Sequence, residues 1–136
     1  MNILPASTIT ASALDAEKMR VEITSENIAN AHTTKGPDGK PYQRRIVAFE
    51  SVLDAATGNN LQGVKISDIK IDPTKGEVIF NPEHPHADEN GNVEMPNVNL
   101  PFEMIDMVTA TRSYEANLAV VRNAKQMATQ ALTIGR

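Results

Sequence analysis

With 136 residues, 40% apolar side chains, 4% aromatics and no Trp, the chain has room for one modest core of Ala, Ile, Val, Leu and Met. That composition suits helix packing better than an aromatic-lined ligand pocket. The net charge of −4 and the lack of a basic block speak against nucleic-acid binding, and zero Cys excludes disulfides and Cys-ligated metals.

No apolar run has the length of a membrane span, so no direct membrane insertion is expected. Met1 to Leu14 is mildly apolar and holds Ala11-Ser12-Ala13. Its first basic side chain comes only at Lys18, and Ser and Thr interrupt the run, so no cleaved secretory signal is expected.

Pro5 to about His32 reads as a first long helix, with no Gly and no Pro after Pro5. Ile9, Ala16 and Ile23 recur every seven residues, as do Leu14, Val21 and Ile28, which makes a broad face apolar. Asp15 and Glu17 precede Lys18 and Arg20, the order the helix dipole favours. The segment ends in Glu26-Asn27-Ile28-Ala29-Asn30-Ala31-His32-Thr33-Thr34. Asn27 and Asn30 share a helical face in line with Ile23. Asn in a helical seam sets register; by pattern alone, Asn30 and the Thr pair fit better as the start of the exit from the helix.

Gly36-Pro37-Asp38-Gly39 is turn chemistry. Between residues 35 and 98 lie six of the seven Gly and six of the eight Pro, which excludes long helices and favours short strands. Tyr42 to Phe49 is a candidate strand, and Ser51 to Ala56 either continues it or forms a helical turn. Gly58-Asn59-Asn60 is a turn. Val64 and Ile66, then Ile69 and Ile71, predict a strand whose phase shifts at Ser67-Asp68, as at a bulge. Asp72-Pro73-Thr74-Lys75-Gly76 reads as a hairpin-like turn before a strand from Glu77 to Phe80. Asn81 to Val98 reads as an extended, exposed loop.

Asn99 to Arg136 predicts a second long helix of about 50 Å. Asn99 is the N-cap and Pro101 falls in the first turn. Glu103 and Asp106 lie near its start; Arg122, Lys125 and Arg136 follow. Met107, Tyr114, Val121 and Ala128 form one row. Met104, Leu118 and Leu132 form a second, interrupted by Thr111 and Lys125, and together they trace an a/d seam. Ile105, Val108, Val120, Met127 and Ile134 lie off that seam, a wider apolar face than one partner helix covers. The helix is thus either central to one globular fold or packed among several others, including those of other copies. The expected fold is mainly α with a small β-rich middle. Terminal helices in 1–34 and 99–136 pack as an antiparallel coiled coil around a middle segment, 35–98.

The only cluster that resembles a chemical site is His84-Pro85-His86-Ala87-Asp88-Glu89, where two His and two carboxylates suit zinc or acid–base work. Its members are close in sequence and lack a regular scaffold. Asp88-Glu89-Asn90-Gly91-Asn92 differs from a calcium loop: its Gly stands fourth rather than sixth, and no Glu stands twelfth. No phosphate loop, nucleophile elbow or Cys nucleophile is present. Tyr42, Arg44 and Arg45 suit either a partner carboxylate or a solvated strand face.

Three stretches together resemble the bacterial flagellar basal-body rod family. Asn27-Ile28-Ala29-Asn30-Ala31-His32-Thr33 resembles its Ala-Asn-x-x-Thr signature, on Ala29, Asn30 and Thr33. His84-Pro85-x-Ala87-Asp88 is followed by Gly91-x-Val93 and Pro96-Asn97-Val98-Asn99. Glu103-Met104 with Ser113-Tyr114-Glu115-Ala116-Asn117 resembles its C-terminal helix. The spacing of Thr34, Gly39, Pro41-Tyr42 and Arg44 resembles the C-type proximal members rather than the B, F or G types. His86 departs from the acidic or polar residue of the family pattern.

The resemblance implies a non-enzymatic structural subunit, without cofactors, of a rod that transmits torque through the periplasm. Implied partners are other copies of the chain, other rod proteins and the flagellar type III export apparatus. Asn27, Ile28, Ala29, Asn30 and Thr33, with Met107, Tyr114, Asn117, Leu118 and Val121, become expected packing residues. Tyr114 and Asn117 are expected near the Asn27 end of the first helix. His84, Pro85, Asp88 and Asn97 are expected at an intersubunit loop. The competing readings are a soluble helical adaptor that binds one partner helix and a small metal-dependent hydrolase using His84, His86 and Asp88.

Overall fold

The structure is a computed structural model and describes residues 4–53 and 62–134. Two long helices, α1 (Leu4–Ala29) and α2 (Leu100–Ile134), flank the strands β1 (Arg45–Leu53), β2 (Gln62–Ile71), β3 (Val78–Phe80) and β4 (Asn92–Glu94). Pro5 falls in the first turn of α1, where a missing N–H is harmless. The helix ends three residues before His32. Ala31 N–H donates to Ile28 at 3.2 Å, and the Asn30 side chain donates to the Glu26 carbonyl at 2.9 Å. The local bonding of Asn30 therefore draws the backbone out of the helix. Asn99 is the N-cap of α2, its side-chain oxygen accepting the Phe102 N–H at 3.2 Å.

The helices run antiparallel. Asn27 meets Glu103 near one end, and further along Arg20 pairs with Asp106. On α1 the covered row Ile9, Ala16 and Ile23 is as predicted. On α2 the row Met107, Tyr114, Val121 and Ala128 is half-buried, also as predicted. Its companion row differs in part from expectation: Glu103, Ala110, Asn117 and Ala124 are covered, and of the predicted Met104, Leu118 and Leu132 only Leu118 is half-buried. Ala110 and Ala124 alternate in that row with Glu103 and Asn117, and the large apolar Met104 and Leu132 are left on the flank. Tyr114 stands eleven residues beyond Glu103, about 16 Å along the axis. Within one subunit, therefore, Tyr114 and Asn117 lie away from the Asn27 end, contrary to the sequence expectation.

β1 and β2 form an antiparallel hairpin from Arg45↔Ile71 to Leu53↔Gln62. Ala48 faces Asp68 and Phe49 faces Ile66, which leaves Ser67 as the extra residue of the predicted bulge. The strand begins at Arg45 rather than Tyr42 and continues from Ser51 to Leu53; residues 54–56 of that predicted segment lie outside the described residues. The Gly58-Asn59-Asn60 turn lies outside the described residues. The hairpin rests on α1: Val64 N–H donates to Ser12 Oγ at 3.2 Å, and Arg45 N–H to Asn27 Oδ1 at 2.9 Å.

Two expectations for the middle are overturned. The Asp72–Gly76 turn does not fold β3 back onto β2; β3 pairs antiparallel with β4, Ile79 opposite Val93. Residues 81–98 are accordingly not an exposed loop throughout, since β4 lies within them and Gly91, Val93 and Pro96 are buried. The reason is a backbone contact at Gly76. A Cβ there would fall 2.9 Å from the Pro96 carbonyl carbon and closer still to Met95, so only Gly admits the 95–96 backbone. Met95 N–H then donates to the Glu77 carbonyl at 2.8 Å and extends the ladder.

Candidate functional site

The most buried polar side chains meet where α1 ends and α2 begins. Asn27 and Glu103 are each 1% exposed. The Asn27 amide satisfies its full geometry. Its Nδ2 donates to the Arg45 carbonyl at 2.9 Å and to Glu103 Oε2 at 3.0 Å; its Oδ1 accepts from Arg45 N–H and the Tyr42 hydroxyl, both at 2.9 Å. Glu103 Oε1 accepts from Arg44 Nε. A buried carboxylate is tolerated only when paired and hydrogen-bonded, and this one has both. Arg44 thus holds a carboxylate of its own chain, while Arg45 pairs with exposed Glu26 at 3.0 Å.

Asn97 ties a second layer to the first. Its Oδ1 accepts Arg44 N–H at 2.7 Å, and its Nδ2 donates to the Thr74 carbonyl at 2.9 Å and the Asp72 carbonyl at 3.2 Å. Asn97, expected at an intersubunit loop, therefore bonds within the subunit. In the same turn Asp72 accepts from the Thr74 hydroxyl at 2.6 Å and its N–H at 3.0 Å. These two bonds, with a smaller contribution from Arg44, hold the Asp72 carboxyl below its usual range. A depressed carboxyl contributes stability above its unfolded pKa of about 3.9 and loses it as pH falls through the lower folded value. The expected result in an NMR titration is that Asp72 protonates below the ordinary aspartate range, and that the Thr74 amide shifts with it.

Burial pushes the Tyr42 hydroxyl up; the Glu26 and Glu103 carboxylates add to this and Arg45 opposes it. The hydroxyl therefore remains a donor to Asn27 at neutral pH. Hydrogen bonding to Asp106 raises Arg20 above its usual value despite partial burial. An open cleft of about 570 Å³ beside the junction is lined by Arg20, Arg44, Asn97, Phe102, Glu103 and Asp106. Its charged groups already pair with one another.

Asn30 takes no part in the junction. Its amide bonds Glu26 and the Thr33 hydroxyl, which completes the helix exit. The sequence aligns Asn27 with the Ile23 face, where it is buried, but reads Glu103 only as a helix-dipole residue. The available signal was its seven-residue spacing to Ala110, Asn117 and Ala124.

The 81–92 segment is a chain of tight turns. The Thr34 hydroxyl bonds His86 Nδ1 at 2.8 Å, and His86 N–H donates to His84 Nδ1 at 3.1 Å. Asp88 Oδ1 is taken up by the N–H groups of Asn90 and Asn92. His84, His86 and Asp88 therefore serve the turn, and among the described residues no group of three His, Asp or Glu is placed to hold a metal ion.

The second feature is the outer surface of α2. Met104, Val108 and Leu132 on one flank, and Val120, Met127 and Ile134 on the other, are all more than half exposed. Among the described residues no helix is long and apolar enough to cross a membrane.

Residues 9–37 match the family described as "Flagella basal body rod protein", and residues 89–134 the one described as "Flagellar basal body rod FlgEFG protein C-terminal". The chain is 38% identical to the flagellar basal-body rod protein FlgC of Yersinia enterocolitica over 136 residues, the whole of both chains. It is 35% identical to the FlgC of Borreliella burgdorferi, covering 98% of each chain, and 37% identical to that of Bacillus subtilis, covering 94% of this chain and 95% of the relative. Helices that carry the matched segments, a junction that joins them and end-to-end similarity agree: the chain belongs to the FlgC family of flagellar basal-body rod proteins.

Proposed function

We propose that the chain is a non-enzymatic structural subunit of the proximal rod that polymerises through α1 and α2, and that the resulting many-helix core transmits torque. The observation that carries this reading is the apolar surface left on both flanks of α2. A helix covered along one seam with apolar flanks on either side has places for further helices. Neighbouring copies and other rod proteins supply them, and α1 and α2 continue as a coiled coil within the packed core.

In this reading Asn27 fixes how α1 meets α2. Ile28, Ala29, Asn30, Thr33, Met107, Tyr114, Asn117, Leu118 and Val121 pack around that pair. The turn at His84, Pro85 and Asp88 contacts a neighbour. The subunit travels through the flagellar type III export apparatus largely unfolded, without a cleaved signal, and assembles in the periplasmic part of the basal body. The exposed apolar flanks of α2 support this path, because they find cover only on assembly.

The test is Val120→Asp combined with Met127→Asp. Both positions are exposed, so the unfolding free energy of the isolated subunit should change by about 0.5 kcal/mol or less per substitution. Swimming and incorporation into purified basal bodies should be lost. Normal incorporation would remove the interface role of this flank.

A further inference from the structure

Asn90-Gly91 is the one Asn-Gly pair in the sequence, and the fold treats its two halves differently. Asn90 is exposed, whereas Gly91 is buried with a φ of 78°. Gly91 N–H donates to the Asp88 carbonyl at 3.0 Å, and the Gly91 carbonyl accepts Asn81 N–H at 2.8 Å. Asp88 Oδ1 accepts the N–H groups of Asn90 at 2.9 Å and Asn92 at 2.8 Å, and Asp88 N–H donates to the Asn92 carbonyl at 2.8 Å. Residues 88–92 are thus bonded on both sides of the Asn90–Gly91 peptide.

We propose that Asn90 is a site of spontaneous deamidation whose rate is set by whether this turn is closed. In the reaction the Gly91 backbone nitrogen gives up its proton and attacks Asn90 Cγ. A C–N bond forms, the bond to the side-chain amide nitrogen breaks, and ammonia leaves with the proton. Water then opens the succinimide at either carbonyl and gives Asp or isoaspartate at position 90. Glycine favours the attack because it has no Cβ to obstruct the ring. The closed turn opposes it twice over. The attacking nitrogen is engaged with the Asp88 carbonyl, and the Asp88 side chain fixes the backbone that must rotate to reach Cγ.

The consequence is local and irreversible. Isoaspartate lengthens the backbone by one carbon immediately before Gly91, where a Cβ alone would already fall 3.0 Å from the Phe80 ring and 3.1 Å from Pro82. The Asn81–Gly91 bond and the first pair of the β3–β4 ladder, Phe80↔Asn92, cannot both survive that insertion. An unfolded chain ages at Asn90, and a folded one is shielded.

The experiment incubates the full chain in mildly alkaline buffer, with and without denaturant, and follows the Asn90 peptide by mass spectrometry and isoaspartate methylation. Deamidation at Asn90 should run roughly tenfold or more slower in the native chain, because it waits for local opening. Asp88→Ala should move the native rate toward the denatured rate. Asp88→Asn, which keeps the Oδ1 acceptor, should stay slow. Equal rates for native and denatured wild type would overturn the proposal, as would a native rate unmoved in a folded Asp88→Ala chain. If Asp88→Ala fails to fold, the wild-type comparison decides alone.

Discussion

Asn27→Asp destabilises the isolated subunit by about 3–5 kcal/mol at neutral pH, although it replaces one atom by another of nearly the same size. The wild-type Nδ2 lies 3.0 Å from Glu103 Oε2, and both side chains are shut off from solvent. An aspartate puts a second carboxylate oxygen at that point. Two buried carboxylates at such a distance do not both ionise, so one takes a proton or the junction opens. The Arg45 carbonyl loses its donor as well. The introduced carboxyl faces an acceptor and is held protonated above the ordinary carboxylate range, so the variant's penalty is smallest below about pH 4 and grows as pH rises. Urea denaturation across this range should show the gap from wild type widening with pH. Asn27→Ala removes the same bonds without adding charge, and its cost should not grow in that way. Adding Glu103→Gln to Asn27→Asp should recover part of the loss, since the new amide donates to the new carboxylate while its oxygen still accepts from Arg44. If Asn27→Asp proves no worse than Asn27→Ala at neutral pH, the Asn27–Glu103 contact is not the one that governs the junction.

That junction sets more than local stability. Through Asn27 it joins the end of α1 to the start of β1, and through Glu103 to the start of α2. Asn97 links the same β1 start to the Asp72–Gly76 turn. Four segments remote in sequence are thus fixed by polar bonds of defined direction, whereas the seam between the helices sets the small Ala16, Ala110, Ala124 and Ala128 among larger apolar side chains. Small residues allow close approach but distinguish poorly between one register and the next. A shift of α1 by one heptad would leave Glu103 and Asn27 buried without each other. Apolar contacts supply attraction and the polar junction supplies position, a division that suits a subunit whose remaining apolar faces await neighbours.

The helices were legible because their signals are local: Asn99 as cap, Pro5 in the first turn, and a seven-residue beat in Ile9, Ala16 and Ile23. The bulge at Ser67 was legible for the same reason, as a break in alternation between Ile66 and Ile69. The second seam row of α2 was misread because large apolar residues were preferred to small ones, whereas the contact is built on Glu103, Ala110, Asn117 and Ala124. Heptad spacing could have put Glu103 in the seam, but the partners of Glu103 and Asn97, Arg44 and Thr74, were not legible, because they are distant in sequence and no periodicity links them. The pairing of β3 with β4 was hidden likewise. A local reading sees Asp72–Gly76 as a turn that closes a hairpin, and only the approach of the 95–96 backbone makes it a bend that leads elsewhere.

Gly76→Ala tests that last point and carries the second large effect. Gly76 does not adopt a left-handed φ, so alanine meets no conformational objection there. The objection is spatial. The new methyl would fall within 2.7 Å of the Met95 carbonyl carbon and 2.9 Å of that of Pro96, and these are backbone atoms that no rotamer change can move aside. Overpacking against a fixed backbone costs about 3 kcal/mol or more. The expected failure is regional. Met95 N–H loses its bond to Glu77, the ladder pairs Val78↔Glu94 and Ile79↔Val93 separate, and hydrogen exchange speeds up at those amides while the α1–α2 seam keeps its protection. Gly39→Ala is the control, because Gly39 has a φ of 78° but nothing within 4 Å of an added Cβ. Its penalty is conformational alone, about 1–2 kcal/mol, and should leave β3–β4 protected. If Gly76→Ala leaves exchange at Val93 and Met95 unchanged, the close approach of the two backbones is not what seats β4. The segment from Asn81 to Val98 would then have to owe its order to the Asp88 turn.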